Sequence, residues 1–218
     1  MALLDALMDR GSGWSLAGRV VAWAARLGMA LLAVASVDRG NRTAFVLAFV
    51  FAAISLAVAY LAPPVLDACA AVLLLAHGWA SLIGTVDSQL WGQGMHVAAP
   101  FLVAPILALA VSDGRLPGLP RTRRAALATA LAGGLAVIAA WEILEATLTR
   151  LPGVHIHTER GDTLTDLALG TLAVAAGTAV AAALIWRRGP GGPAPAAGAG
   201  PELVSAAGPA RATAPPPG

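Results

Sequence analysis

The side chains that could do chemistry lie mostly in the second half of the sequence. The strongest candidates are one imidazole and four carboxylates in two close pairs: His96, Glu142, Glu145, Asp162 and Asp166. Imidazole and carboxylates together suit general acid–base catalysis or a divalent metal ion. All five are predicted catalytic residues, and the predicted metal ligands are His96, Glu142, Asp162 and Asp166. A bound cofactor and enzyme activity both stay open at this stage.

Helical spacing indicates where the two pairs point. In the last apolar segment, Asp162 and Asp166 share a helix face with Gly170, Ala173 and Gly177. Small residues let membrane helices approach closely, so this face is expected to pack against protein.

The preceding segment repeats the arrangement. Glu142 and Glu145 continue a face that carries Ala130, Gly134 and Ile138. Both pairs of carboxylates are therefore expected to face other helices and not lipid.

Carboxylates gathered in a medium of low dielectric constant need a compensating charge. The candidates are Arg150, Arg160, a protonated histidine and a bound divalent cation. The structural alternative is that the acids pair with these arginines and cap the last helix.

The elements that must position these residues are membrane-spanning helices. Apolar residues make up 58% of the 218 residues and charged residues 12%, with a mean hydropathy of +0.75. Such a composition excludes a water-soluble fold. All 14 basic residues are arginine and form no long basic run, so no nucleic-acid partner is expected and membrane lipids are the expected surroundings.

Six windows are long enough to span a bilayer. The fold class is therefore predicted to be all-α, a bundle of six transmembrane helices, over 19–37, 43–62, 65–86, 95–112, 125–148 and 163–186. Residues 1–18 form a predicted cytoplasmic segment, 19–188 the membrane domain, and 189–218 a disordered tail rich in Ala, Gly and Pro. The alternative for the first window is a signal peptide.

Arginines predict the orientation. With six spans, nine arginines fall on the side of the two termini and four on the other. The positive-inside rule then places both termini in the cytoplasm of a bacterial inner membrane. The outer ends of the last four spans bring together the acidic and histidine residues, and the last outer loop adds His155, His157 and Glu159.

Other polar residues have structural interpretations. His77 and Ser81 form a weaker stripe in the third span, and His77 is expected to be a packing group. Trp14, Trp91 and Trp186 are expected to be interfacial anchors, whereas Trp141 stands next to Glu142 and could belong to the site.

These residues also carry a resemblance. His96 opens one span, Trp141–Glu142–Ile143–Leu144–Glu145 ends the next long one, and Gly161–Asp162–Thr163–Leu164–Thr165–Asp166 leads into a glycine-rich last helix. This arrangement, over 87–183, resembles the YjdF-like family of small multi-pass bacterial membrane proteins. A fainter similarity is to VanZ-like membrane proteins, which are known for glycopeptide-resistance phenotypes. The resemblance implies a multi-pass envelope protein and supplies no established activity.

Three functions remain open. The first is an outward-facing carboxylate and histidine pocket with an envelope-linked or lipid-linked role, the second is proton-coupled or ion-coupled transport of a small molecule, and the third is a scaffold with structural ion pairs. The chain contains no phosphate-binding loop, nucleophile elbow or zincin helix motif, so ATP-driven and standard hydrolase functions are not expected.

Overall fold

The computed structural model describes residues 13–84, 89–156 and 162–187. Over these residues the chain is all-helical, with six helices long and apolar enough to cross a membrane. In chain order they are α1 (Gly13–Asp38), α2 (Arg42–Leu61), α3 (Pro64–Ile83), α4 (Gln89–Ser112), α5 (Arg123–Leu148) and α6 (Asp162–Arg187). The predicted fold class and the count of six spans are confirmed.

Local sequence signals explain where several helices begin and end. Asn41 and Thr122 cap α2 and α5, because their side chains accept hydrogen bonds from the amides of Ala44 and Ala125. Pro64 stands in the first turn of α3, and Gly84 ends that helix in the left-handed conformation with φ of 77°. Helices α1 and α4 each begin about six residues before the predicted windows.

The outer faces of the helices are apolar. Large side chains such as Leu27, Val34 and Leu172 remain 63%, 70% and 68% exposed. In water such a surface would drive association, whereas a bilayer solvates it. The exposed faces are therefore lipid-facing, as expected of a multi-pass membrane protein.

The bundle consists of two three-helix halves, α1–α3 and α4–α6. In each half the first and third helices pack most extensively, and the two halves meet mainly where α4 contacts α3 and α2. The first half has a core around Met29, Leu47 and Phe51. The second half has a core around Leu109 and Val174.

The face of α6 predicted to pack against protein does so. Asp166 and Ala173 are 7% and 5% exposed, and Gly170 and Gly177 are buried. The corresponding residues of α5 are also buried: Ala130, Gly134 and Ile138. The small residues allow this packing, since a Cβ at Gly170 would lie 2.9 Å from a side-chain carbon of Ile138.

Two prolines lie inside α4 without ending it. Because proline lacks an amide hydrogen, Pro100 and Pro105 leave the carbonyls of His96 and Phe101 without their usual helical donors. Gly177 of α6 packs against the second of these, and a Cβ at that glycine would clash with the Phe101 oxygen. The glycine therefore permits a close approach between α4 and α6.

Candidate metal centre

His96 is the centre of the candidate site. It lies two turns into α4, and its side chain is 12% exposed. The imidazole Nδ1 is 3.6 Å from Oε1 of Glu142 on α5, and Nε2 is 3.4 Å from Oδ2 of Asp166 on α6. Three helices of the second half thus each bring one predicted site residue to the same point.

Glu145 belongs to the same cluster. One ligand atom each from His96, Glu142 and Glu145 can be chosen so that all three lie within 4.8 Å of one another. The spacing of three residues on α5 places both glutamates on one helix face, as the sequence predicted.

The structure describes the side chain of Asp166 but not that of Asp162. Asp166 faces the second nitrogen of His96 from α6. Asp162 is the first residue of that helix, but its side chain lies outside the described residues, so its predicted role stays a prediction. Also outside them lie Asp87, His157, Glu159 and Arg160, together with Trp14 as a side chain. His155 is described and its side chain is exposed. It does not belong to the cluster of His96, Glu142 and Glu145.

The cluster is rich in negative charge. Glu142, Glu145 and Asp166 supply three carboxylates around one imidazole. Arg150, one of the arginines expected to balance them, has an exposed side chain at the end of α5. A cation at the cluster would therefore have a favourable electrostatic environment.

One distance in the cluster is close to the separation of two ligands on a metal ion. Two ligands about 2 Å from a tetrahedral ion are about 3.3 Å apart, close to the 3.6 Å between His96 Nδ1 and Glu142 Oε1. With an ion on Nδ1, the Nε2–H would point to Asp166. Metal-binding histidines commonly donate their second N–H to a carboxylate in this way.

A cavity of about 350 Å³ opens beside the cluster. Its walls come from α2 and α3 on one side and from α4, α5 and α6 on the other, so it lies between the two halves. His96, Glu145 and Asp166 line one end. No arginine lines it among the described residues.

Aromatic rings adjoin the cluster. Trp141 is stacked on Phe51 with centroids 5.9 Å apart, and His77 contacts both rings edge to face. The indole N–H of Trp91 donates to Nδ1 of His77 over 3.0 Å. His77 is thus packed among three aromatic rings, and Trp91 joins α4 to α3 through this hydrogen bond.

The described part of the loop between α5 and α6, residues 149–156, reaches this end of the cavity. The amide of His155 donates to Oγ1 of Thr43 over 2.8 Å, and Arg42 donates to the carbonyl of Pro152 over 3.2 Å. Val154 is 4% exposed in the core shared with α2. This part of the loop is thus held at the start of α2 and covers one end of the cavity.

The first half contains a buried ion pair that was not predicted from the sequence. Arg26 of α1 forms a bidentate pair with Asp67 of α3, through Nη2 to Oδ1 and through Nη1 to Oδ2 at 3.2 Å. Arg26 Nη2 also donates to the carbonyl of Ser55 over 2.8 Å. Arg26 lies inside the first predicted span. Its depth inside that span was the one sign that it needed a carboxylate partner.

Comparison with known proteins adds no relative. No family model matches the chain, and no curated protein or solved structure matches it either. The fold alone defines the class, an all-helical protein with six candidate membrane spans. The cluster of His96 and the carboxylates is the feature from which its function must be argued.

Proposed function

We propose that this chain is a multi-pass bacterial inner-membrane protein that binds a divalent metal ion through His96, Glu142 and Glu145. Both termini lie in the cytoplasm in this proposal, so the metal centre is near the outer face. There it serves an envelope-linked or lipid-linked ligand. The arginine distribution of the sequence supports the orientation.

One observation carries the proposal. A nitrogen and two carboxylate oxygens from two spans lie within 4.8 Å of one another, and the Asp166 carboxylate lies 3.4 Å from Nε2 of the same histidine. Three protein ligands leave one position of a tetrahedral ion open, as in catalytic zinc centres. Two glutamates also balance the charge of a divalent ion.

The chemistry available to such a centre is limited and specific. A bound divalent ion supplies Lewis acidity or an activated water at its open position. Glu142 and Glu145 hold the ion, and Asp166 orients the imidazole of His96. The exposed fractions of 12%, 13% and 9% for the His96, Glu142 and Asp166 side chains reduce screening by water, which strengthens these interactions.

Metal analysis of the purified protein tests the proposal. We expect apo-protein equilibrated with zinc or manganese to retain about one equivalent, by the ligand count of a single site. Glu142→Gln should abolish retention. Asp166→Asn should weaken it by about 10–100-fold, the usual cost of removing such a supporting group.

Asp113→Asn is the matched control, because Asp113 directly follows α4, at the opposite end of that helix from His96, and faces Arg115. It should retain metal as the wild type does. The proposal is refuted if the wild type retains no ion, or if Glu142→Gln retains as much as this control.

A second candidate function is proton-linked transport. Each nitrogen of His96 faces a carboxylate, and only the imidazolium form can donate to both at once. In this case metal-free protein in pyranine-loaded proteoliposomes should show a proton flux that His96→Gln removes and Asp113→Asn preserves. A scaffold would show neither metal nor flux, and Glu142→Gln would lower only its thermal stability.

The proposed orientation has its own test. In a Cys69→Ser background, Arg121→Cys in the loop between α4 and α5 should react with a membrane-impermeant thiol reagent only in inside-out vesicles. Labelling of intact spheroplasts at this position would place the metal centre on the cytoplasmic side.

A further inference from the structure

The lining of the cavity beside the metal centre extends far along two helices. Along α2 its lining runs from Thr43 to Val58, and along α4 from Gly92 to Ile106. At 1.5 Å per helical residue, both stretches span about 20 Å. A ligand that contacts this lining from one end to the other is therefore elongated, as an extended alkyl chain is.

The two ends of the cavity differ in chemistry. His96, Glu145 and Asp166 line the end near the α5–α6 loop. The other end is closed by aliphatic residues such as Val58, Leu102 and Ile106. A ligand that fits both ends has a polar head and one apolar chain.

The cavity also reaches the lipid-facing surface of the bundle. Ile54 on α2 and Val137 on α5 both line it, yet they remain 37% and 45% exposed. Phe51 and Trp141 join the two helices by stacking, but the helix backbones do not pack closely on each other. The loop held by Thr43 and Arg42 covers the end next to the metal centre, so the side between α2 and α5 is the route from the bilayer.

We propose that this cavity binds a single-chain amphiphile with a phosphate head, taken from the surrounding bilayer. The chain lies between the two halves of the bundle. The phosphate occupies the open position of the metal ion held by His96, Glu142 and Glu145, so this inference rests on the proposed function. Phosphate oxygens are common partners of carboxylate-held divalent ions.

The probe for the test is dodecyl phosphate with a diazirine at the chain end, added to wild-type protein in phosphatidylcholine nanodiscs loaded with zinc. After photolysis, labelled peptides are identified by mass spectrometry. We expect labels on cavity-lining residues of α2 and α4, including the Ile54–Val58 segment. Labels confined to outward-facing residues would overturn the proposal.

Val103→Trp fills the cavity two turns below His96, and Val97→Trp is its matched control on the same helix. Val103 lines the cavity, whereas Val97 does not and is 41% exposed. Cavity labelling should fall about tenfold in Val103→Trp, as it would if the dissociation constant of the probe rose about tenfold. It should stay unchanged in Val97→Trp. Equal labelling of the two variants would overturn the proposal.

Metal content shows whether Val103→Trp is still folded, because its zinc site should be intact. If it is not, Ala99→Phe, one turn from His96, is the second cavity-filling variant. The same loss of cavity labelling is expected, and normal labelling in a zinc-loaded Ala99→Phe protein would refute chain binding.

The head group is tested separately. Removal of zinc with EDTA, or use of the matching dodecanol probe, should lower labelling of the wild type to the same reduced level. If zinc binds but EDTA changes nothing, the phosphate assignment is wrong while the metal site stands. If no zinc binds, the proposed function fails together with the phosphate assignment, whatever the labelling of the cavity.

Discussion

The ion pair between Arg26 and Asp67 should contribute strongly to stability, and a double-mutant cycle can measure it. The two side chains are 6% and 10% exposed, and the guanidinium forms three hydrogen bonds to Asp67 and the Ser55 carbonyl. Asp67→Asn keeps the shape of the side chain but leaves a buried cation without its counter-charge. Breaking a buried pair from one side costs about 3–5 kcal/mol.

Arg26→Met makes the complementary change, since it leaves the carboxylate buried and should cost about as much. The double variant removes both charges together and should lose far less than the sum of the two single variants. We expect a coupling energy of about 2–4 kcal/mol, which reflects the avoided burial of an unpaired charge.

Reversible unfolding in mixed micelles of dodecyl maltoside and SDS, followed by circular dichroism, gives the free energies for this cycle. Asp38→Asn is the control, because Asp38 is exposed at the end of α1 and charges at such positions contribute about 0–1 kcal/mol. The reasoning is wrong if the single variants add without coupling, or if Asp67→Asn is no more destabilising than this control.

Three further changes test the packing around the site, with the same unfolding assay unless stated. Gly177→Leu should destabilise the protein by about 1–3 kcal/mol, because α6 would be pushed from the Phe101 carbonyl; an unchanged free energy would contradict the close approach. Trp91→Phe removes the hydrogen bond to His77 and should cost about 1 kcal/mol, and no loss would show that this bond contributes nothing. Thr43→Val should raise hydrogen exchange in the α5–α6 loop, and unchanged exchange would mean that other contacts hold the loop.

Hydropathy predicted the fold class because membrane helices must satisfy their own backbone hydrogen bonds and bury few charges. Helical spacing predicted which faces of α5 and α6 turn inward, since small residues and carboxylates recur along those faces at intervals of three or four residues. The ends of α1 and α4 were less well predicted. Residues such as Gly13 and Gln89 extend those helices beyond the most apolar windows.

The candidate site was predictable in part. Helical spacing and topology placed His96, Glu142 and Asp166 at one end of the bundle, and the structure brings them into contact range. The pairing of Arg26 with Asp67 depends on which helices are neighbours across 41 positions of sequence. The cavity is a property of the contact between the two halves, and no residue pattern within one helix encodes it.

Entry from the bilayer between α2 and α5 also determines how the binding of a ligand should be measured. A molecule that enters past Ile54 and Val137 diffuses in two dimensions within one leaflet and does not cross bulk water. Occupancy would then follow its mole fraction among the lipids, so diluting the vesicles would leave binding unchanged. Diluting the ligand with inert phospholipid would release it.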